Sequence, residues 1–246
     1  MTGGRSAAYR AGMPVDVPHG LTVVPARDVA WDDLRAVFES RADGRRCWCQ
    51  RYTMQPHESW ARVGPEALAA RLREHTGTDA DDAADGRPDE PGGGPVGGPC
   101  VDLRLRDEPR AHDDPPPASG LVAFLDGVPV GWCAVAPRRA YPRLLRSTRV
   151  PWQGRDEDRQ DPDVWAVTCF LTRATFGRRG VATALAVAAV EHARQQGARA
   201  VEGYPMTTSA ALPVELHPGT VAMFAAAGMR EVAPRSPRRV AMRVDL

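Results

Sequence analysis

Residues 163–197 run from an almost uninterrupted apolar segment through a glycine-containing turn into a long helical pattern, and this succession constrains the fold more than any other stretch. The segment DVWAVTCFLTRA (163–174) has the near-continuous apolar character of a central strand. Apolar residues at helical spacing follow over 178–196, and Gly197 is placed to cap that helix. A further strand, 198–206, comes directly after it. This unit predicts a sheet that is covered by helices.

The rest of the chain supplies the remaining elements of a mixed α/β fold. Two apolar runs within 120–137 flank Asp126-Gly127, which is a strong signal for a β-hairpin. The other predicted elements are strands at 21–26, 230–234 and 239–246, helices at 31–40, 65–77 and 220–229, and a weaker strand in CVDLRLR (100–106). This order of strands and helices is typical of one mixed sheet with helices on both faces.

One internal segment differs sharply in composition from its surroundings. Residues 78–99 are acidic and then rich in glycine and proline, with almost nothing to bury, and the pattern extends to Ser119. Such a composition predicts a disordered or loosely ordered insertion at about 78–118. We therefore expect an N-terminal extension at 1–20 and a single domain at 21–246 that contains the insertion.

The composition argues against several classes of protein. The net charge of +1 gives no indication of a nucleic-acid partner. No segment approaches the roughly 18 apolar residues of a membrane span, and the N-terminus lacks the apolar core of a signal peptide, so a cytoplasmic protein is expected. All 32 basic residues are arginine, which indicates a GC-rich genome of the actinobacterial kind. The five cysteines are irregularly spaced and do not predict a disulfide framework.

The turn before the long helix is the main candidate for a ligand site. Gly177 and Gly180 lie between a buried strand and the helix, and Ala182 is small, so a ligand can approach the backbone closely. A helix N-terminus offers free N–H groups and a positive dipole end, which suit a phosphate group, and Arg178 and Arg179 add positive charge. A plain helix start enriched in arginine is the alternative. The spacing matches neither a P-loop nor the dinucleotide motif G-x-G-x-x-G.

The turn resembles the acyl-CoA loop Gln/Arg-x-x-Gly-x-Gly/Ala of the GNAT N-acetyltransferase superfamily, and here it reads Gly177-Arg178-Arg179-Gly180-Val181-Ala182. It departs from that pattern at Gly177, where glutamine or arginine is usual. The resemblance extends to VTCFLT, AVEGYP, VPVGWCAVAPRRAYPRL and the final segment from MFAAAGM onward. It implies a GNAT fold, in which a mixed and strongly twisted sheet splays at an acyl-CoA cleft.

The resemblance also implies that acetyl-CoA is bound in this cleft and that an amine attacks its thioester directly in a ternary complex. The pyrophosphate would take the backbone amides of 177–182, with Thr183 beside them. The pantetheine arm would pair with the backbone of Phe170, Leu171 and Thr172. The expected acceptor is a primary amine of a small molecule, and the protein is expected to be a monomer or a homodimer.

A hydroxyl that commonly serves GNAT enzymes as the acid is missing from this sequence. The family often carries a tyrosine four residues before the glycine that ends the short last helix. Counting back from Gly228 gives Phe224, which has no hydroxyl. Tyr204 is the nearest substitute in the sequence, and an ordinary half-buried strand tyrosine is the alternative interpretation.

Two residues are candidates for the base that deprotonates the amine. Glu202 lies on the strand of Tyr204, and its side chain could face the cleft or the solvent. His217 precedes the last helix, and histidine titrates in a range that suits a base, although LHPG is also typical of a plain turn. Glu215 is a weaker third candidate.

An aromatic-rich segment follows the first helix, in the region that walls the acceptor site of GNAT proteins. Trp48 and Tyr52 are therefore predicted to contact the amine, with Trp60 nearby. A hydrophobic cluster that covers the sheet explains the same residues equally well. The pair Cys47 and Cys49 lacks a second pair of ligands, so no metal is expected.

Three functions are compatible with these residues. The first is acetylation of a small-molecule amine, and the second is a catalytically weak or inactive domain that binds or senses acyl-CoA. Phe224 is the feature that favours the second. The third is acetylation of a protein amine, for which the acidic insertion could serve a partner.

Overall fold

A single mixed sheet organises the part of the chain that the structure describes. The computed structural model describes residues 18–78, 102–103, 120–147, 150–207, 213–234 and 236–246. The strands are β1 (Leu21–Pro25), β2 (Asp102–Leu103), β3 (Leu121–Leu125), β4 (Val128–Pro137), β5 (Val164–Thr172), β6 (Ala200–Gly203), β7 (Arg230–Glu231) and β8 (Met242–Asp245). They lie in the order β2-β1-β3-β4-β5-β6-β8-β7. The pairs β1–β2 and β5–β6 are parallel, and the other neighbours are antiparallel.

Helices cover both faces of this sheet, as predicted. They are α1 (Trp31–Glu39), α2 (Ala42–Cys47), α3 (Trp60–Val63), α4 (Pro65–Thr76), α5 (Pro142–Leu145), α6 (Val181–Gln195) and α7 (Val221–Ala226). Alternate residues of β3 face opposite sides: Leu121 packs in the core beneath α6, whereas Val122 packs beneath α1 and α4. The helices and alternating strands thus enclose a core on each face, and a third, smaller apolar cluster contains Tyr141, Leu144 and Tyr204.

The longest predicted elements agree with the structure to within a few residues. The hairpin turn has positive φ at both Asp126 (51°) and Gly127 (76°), and Gly197 (80°) follows α6 as the predicted cap. The predicted strand 198–206 is shorter than expected and ends at Gly203. Pro205, which has no N–H to continue the ladder, comes two residues later.

The residues on either side of the predicted insertion, Thr78 and Gly120, both form hydrogen bonds with Ala26. The Thr78 hydroxyl donates a hydrogen bond to the Ala26 carbonyl (3.1 Å), and the Ala26 N–H donates to the Gly120 carbonyl (3.0 Å). Between them, the structure describes only β2, which pairs with β1. The rest of the predicted insertion, and residues 1–17 of the predicted N-terminal extension, lie outside the described residues.

Gly203 allows α7 to pack directly on β6. A Cβ atom at this position would lie 2.5 Å from two ring atoms of Phe224, whose side chain is fully buried. We expect Gly203→Ala to lower the free energy of unfolding by about 1–3 kcal/mol, measured by urea denaturation. Gly177→Ala is the control, because its φ is −60° and its Cβ would meet nothing closer than 3.5 Å. Equal stability of the two variants would show that the Phe224 ring moves aside without cost.

Candidate active site

The two parallel strands at the centre of the sheet separate at their carboxyl ends. Their pairing begins at Val164 with Ala200 and ends at Val167 with Gly203. Beyond this point β5 continues to Thr172 beside β4 alone, and an irregularity in the β4–β5 register falls at the same level. The predicted splay is therefore present, and it leaves one edge of β5 without a neighbouring strand.

The predicted phosphate loop forms a tight turn at the N-terminus of α6. Arg178 (φ 61°) and Gly180 (φ 78°) adopt left-handed conformations, and no side chain caps the helix. The first intrahelical bond runs from the Ala184 N–H to the Gly180 carbonyl (2.9 Å). The amides of Val181–Thr183 consequently have no acceptor within the helix, and the side chains of Arg178 and Arg179 are exposed beside them. These groups fit a diphosphate.

The unpaired edge of β5 is only partly open to a ligand. The Phe170 N–H donates to the His217 carbonyl (2.6 Å), so this amide is already engaged. The Arg173 N–H bonds to Val130 of β4, and by alternation the polar backbone groups of Leu171 also face β4. This corrects the prediction that Phe170 N–H and Leu171 bind pantetheine. The Phe170 carbonyl and the Thr172 N–H remain directed to the outer edge.

A cavity of about 600 Å³ is lined in part by His217, whose carbonyl accepts the Phe170 N–H of β5. Four residues singled out in the sequence line it: Tyr52, Tyr204, Glu215 and His217. Tyr204 follows β6. His217 lies in the segment between β6 and α7, and its carbonyl accepts a hydrogen bond from β5. Tyr204 and His217 thus line the same cavity as Tyr52, which is distant from both in the sequence.

Trp48 does not line this cavity. Its indole is 5% exposed and stacks between Trp31 and Phe38, with ring centroids 5.8 and 5.2 Å away. It belongs to the core that α1 and α4 form on the sheet. The prediction of a substrate contact is therefore wrong for Trp48, and the alternative of a hydrophobic cluster applies to it.

Glu202 faces neither the cleft nor the solvent. Its carboxylate is fully buried and forms ion pairs with Arg138 (3.1 Å), Arg243 (3.1 Å) and Arg155. Burial opposes its ionisation, but the hydrogen bond and charge of Arg155, with the charge of Arg138, outweigh burial and lower the pKa of Glu202. A carboxylate held ionised by three guanidinium groups is a poor base. This corrects its predicted role.

The buried carboxylate instead orients Tyr204. The Tyr204 hydroxyl donates to Glu202 Oε2 (2.9 Å), and the ring is 2% exposed. Burial raises the pKa of Tyr204 well above its ordinary value, and the charge of Glu202 raises it further. The hydroxyl therefore keeps its proton and has a fixed direction.

The five cysteines include a pair that the sequence spacing did not reveal. Cys49, two residues after α2, is bonded to Cys169 of β5, and their Cα atoms are 6.3 Å apart. The two residues are 120 positions apart, so only the packing of the α2 segment on the sheet brings them together. This bond engages Cys49, and no group of three potential metal ligands occurs in the described ranges.

Sequence reasoning missed most of the arginines around the site. Arg138, Arg155 and Arg243 surround Glu202, and a further group lines the cavity. With 32 arginines distributed along the chain, no local pattern marks the ones that converge. Within the described part, no helix is both long and apolar enough to cross a membrane.

Solved structures of acetyltransferases are similar to this chain at low identity. A Bacillus subtilis acetyltransferase in complex with CoA is 14% identical, with 52% of this chain and 76% of that chain covered and a TM-score of 0.35. The GNAT domain of S. lividans PAT is 20% identical, with 52% and 60% covered and a TM-score of 0.34. The putative acetyltransferase yncA from Salmonella typhimurium, solved with acetyl-CoA, is 12% identical, with 92% and 94% covered and a TM-score of 0.45.

A family model covers the part of the chain that contains the splay and the glycine turn. No curated protein matches the sequence significantly. Residues 93–209, however, match the model of the acetyltransferase (GNAT) family. This range includes β3 to β6 and α6, which carry the phosphate loop predicted from the sequence. Over residues 93–209 the chain is therefore similar to the acetyltransferase (GNAT) family.

Proposed function

We propose that this protein is an N-acetyltransferase that transfers an acetyl group from acetyl-CoA to a primary amine of a small molecule. One observation carries the proposal: His217, which lines the cavity with Tyr204, accepts a backbone hydrogen bond from Phe170 at the unpaired edge of β5, and that strand leads into the turn before α6. A site for a diphosphate and a site for a second substrate are thus joined by one strand.

The residues present fit acetyl-CoA at the turn and in part at the strand. The amides of Val181–Thr183 and the side chains of Arg178 and Arg179 would hold its diphosphate. The Phe170 carbonyl and the Thr172 N–H would contact its pantetheine arm, whereas the Phe170 N–H would first have to leave His217. When bound, acetyl-CoA supplies a thioester carbonyl and a thiolate leaving group.

His217 is the side chain that we assign as the base. The hydrogen bond from Phe170 to its carbonyl fixes its backbone at the edge of β5, and its side chain lines the cavity. The imidazole would remove the proton from the ammonium group of the acceptor, which makes the amine nucleophilic. Glu202 acts as a positioning residue, because it holds the Tyr204 hydroxyl in the cavity wall.

A domain that binds acyl-CoA without turnover is the second candidate. Two observations favour it: Phe224 provides no hydroxyl and is fully buried, and the His217 carbonyl already occupies the Phe170 N–H. Release of thiol from acetyl-CoA in the presence of a panel of amines distinguishes the two functions. Amine-dependent release supports the transferase, and a melting-temperature increase with acetyl-CoA but no release supports the binding domain.

The phosphate loop can be tested independently of turnover. We expect Arg178→Glu to weaken CoA binding by about tenfold or more, because it places a negative charge beside the diphosphate. The measurement is the CoA-dependent increase in melting temperature. Arg62→Glu is the matched control, since Arg62 is exposed on α3 and does not line the cavity. Equal CoA affinity of the two variants would contradict the assignment of the loop.

A further inference from the structure

Arginines form much of the wall of the cavity. Arg51 follows α2, Arg143 lies in α5, and Arg238 and Arg239 lie between β7 and β8. The chain as a whole has a net charge of only +1, so this concentration is local. Of the described residues that line the cavity, Glu215 alone carries a carboxylate, against four arginines.

Most of this positive charge has no carboxylate partner among the residues that the structure describes. Arg238 pairs with Glu215 (2.5 Å). Arg239 instead donates to the Tyr52 hydroxyl (2.7 Å), and Arg143 donates to the Glu58 carbonyl (2.9 Å), neither of which carries a charge. Of the carboxylates that the structure describes, none forms an ion pair with Arg51, Arg143 or Arg239.

The arginines around Glu202, in contrast, have carboxylate partners. Arg138, Arg155 and Arg243 all contact Glu202, and Glu157 and Asp245 provide further carboxylates within the same cluster. That cluster is therefore balanced internally, whereas the described lining of the cavity has about three more arginines than carboxylates. A concave site lined by one sign of charge concentrates ligands of the opposite sign.

The geometry points to an acceptor amine that also carries an anionic group, a carboxylate or a phosphate. The inference rests on the proposed function. The anion would be bound by Arg51, Arg143 and Arg239, and the amine would be directed to His217 and Tyr204 in the same cavity. A simple amine, which is a cation near neutral pH, would be repelled by this surface. The volume of about 600 Å³ suits a small molecule.

Matched acceptor pairs test the inference. The full-length protein is assayed for thiol release with 4-aminobutanoate against its amide, and with O-phosphoethanolamine against ethanolamine. We expect the anionic member of at least one pair to have a kcat/KM about 10- to 100-fold higher. The pair that shows the effect identifies the anion as carboxylate or phosphate. Equal values within both pairs would overturn the inference while amine acetylation itself stands.

Variants connect the preference to the arginines. Arg239→Gln should reduce the ratio of kcat/KM within the preferred pair by about tenfold. Arg51→Gln, whose side chain is exposed, tests the same point if Arg239→Gln does not fold, and Arg62→Gln should leave the ratio unchanged. An undiminished ratio in both cavity variants would contradict the assigned binding residues.

A binding measurement separates this inference from the proposed function. With CoA present, the anionic member of a pair should raise the melting temperature more than its partner without the anionic group, whether or not it is acetylated. If acetyl-CoA and CoA leave the melting temperature unchanged, the proposed function fails. The inference fails separately if no anionic amine gives either a larger shift or a faster reaction than its partner.

Discussion

Glu202→Gln is expected to lower the free energy of unfolding by about 3–5 kcal/mol, as measured by urea denaturation at pH 7. The wild-type carboxylate is fully buried against Arg138, whose side chain is also fully buried, and against Arg155 and Arg243. Glutamine has the same shape and can still accept the Tyr204 hydrogen bond, but it has no charge. The variant therefore leaves guanidinium groups in the interior with too few negative partners.

Asp245→Asn is the matched control. It removes a carboxylate that pairs with the same Arg243 (2.7 Å), but the side chain of Asp245 is 58% exposed. Exposed ion pairs contribute little, so we expect a loss below about 1 kcal/mol. Comparable losses in the two variants would show that burial does not govern the Glu202 cluster.

The effect of Glu202→Gln should depend on pH. Because the pKa of Glu202 is lower in the folded protein than its ordinary value of 4.5, its ionisation stabilises the fold above pH 4.5. That contribution is lost as the pH falls from about 4.5 through the lower pKa of the folded state. The difference between wild type and Glu202→Gln should be full at pH 7 and shrink below pH 4.5. A difference that stays constant on acidification would contradict the lowered pKa.

His217→Gln is expected to reduce kcat for amine acetylation by about 10²–10⁴-fold. Glutamine keeps the size and hydrogen-bonding capacity of the side chain but cannot remove a proton from the acceptor. The bond between the Phe170 N–H and residue 217 involves only the backbone and is retained. The CoA-dependent increase in melting temperature should therefore be unchanged, which distinguishes a loss of chemistry from a loss of binding.

Two further variants test the assignment of the base. His57→Gln, at an exposed histidine outside the cavity, should retain wild-type kcat. Glu215→Gln probes a carboxylate in the cavity wall, the weaker candidate for the base. If Glu215→Gln causes the larger loss of kcat, then Glu215 rather than His217 is the base.

Elements with a strong local signal could be predicted from the sequence. The helix after Gly180, its end at Gly197 and the Asp126-Gly127 hairpin depend on neighbouring residues, and all three are present. The short helices α2, α3 and α5 were not predicted, because each has only four to six residues and no side-chain cap, whereas the equally short α7 begins at the cap Thr220 and ends before Gly228. Their formation depends on packing against the rest of the molecule.

The candidate site could be predicted only where its residues are contiguous in the sequence. The turn at Gly177–Thr183 is local, so its conformation and position were foreseeable. The environment of Glu202 was not, because its three arginine partners come from separate parts of the chain. The alternation of residues along a strand predicts two faces, but it does not predict which charged side chains from other segments lie against each face. The same limit hid the bond between Cys49 and Cys169.

The contacts of Ala26 bear on how the length of such a chain can vary. Thr78 and Gly120 both form hydrogen bonds with its backbone, so the two ends of the segment between them lie close together. The distance between these ends therefore does not dictate how many residues the segment must contain. Closing a loop costs only about 0.6 kcal/mol more for each doubling of its length. In the sheet order, β3 and β4 separate β1, which ends beside Ala26, from β5. A gene of this kind can therefore gain or lose codons at this point while β5 keeps its register with β4 and β6.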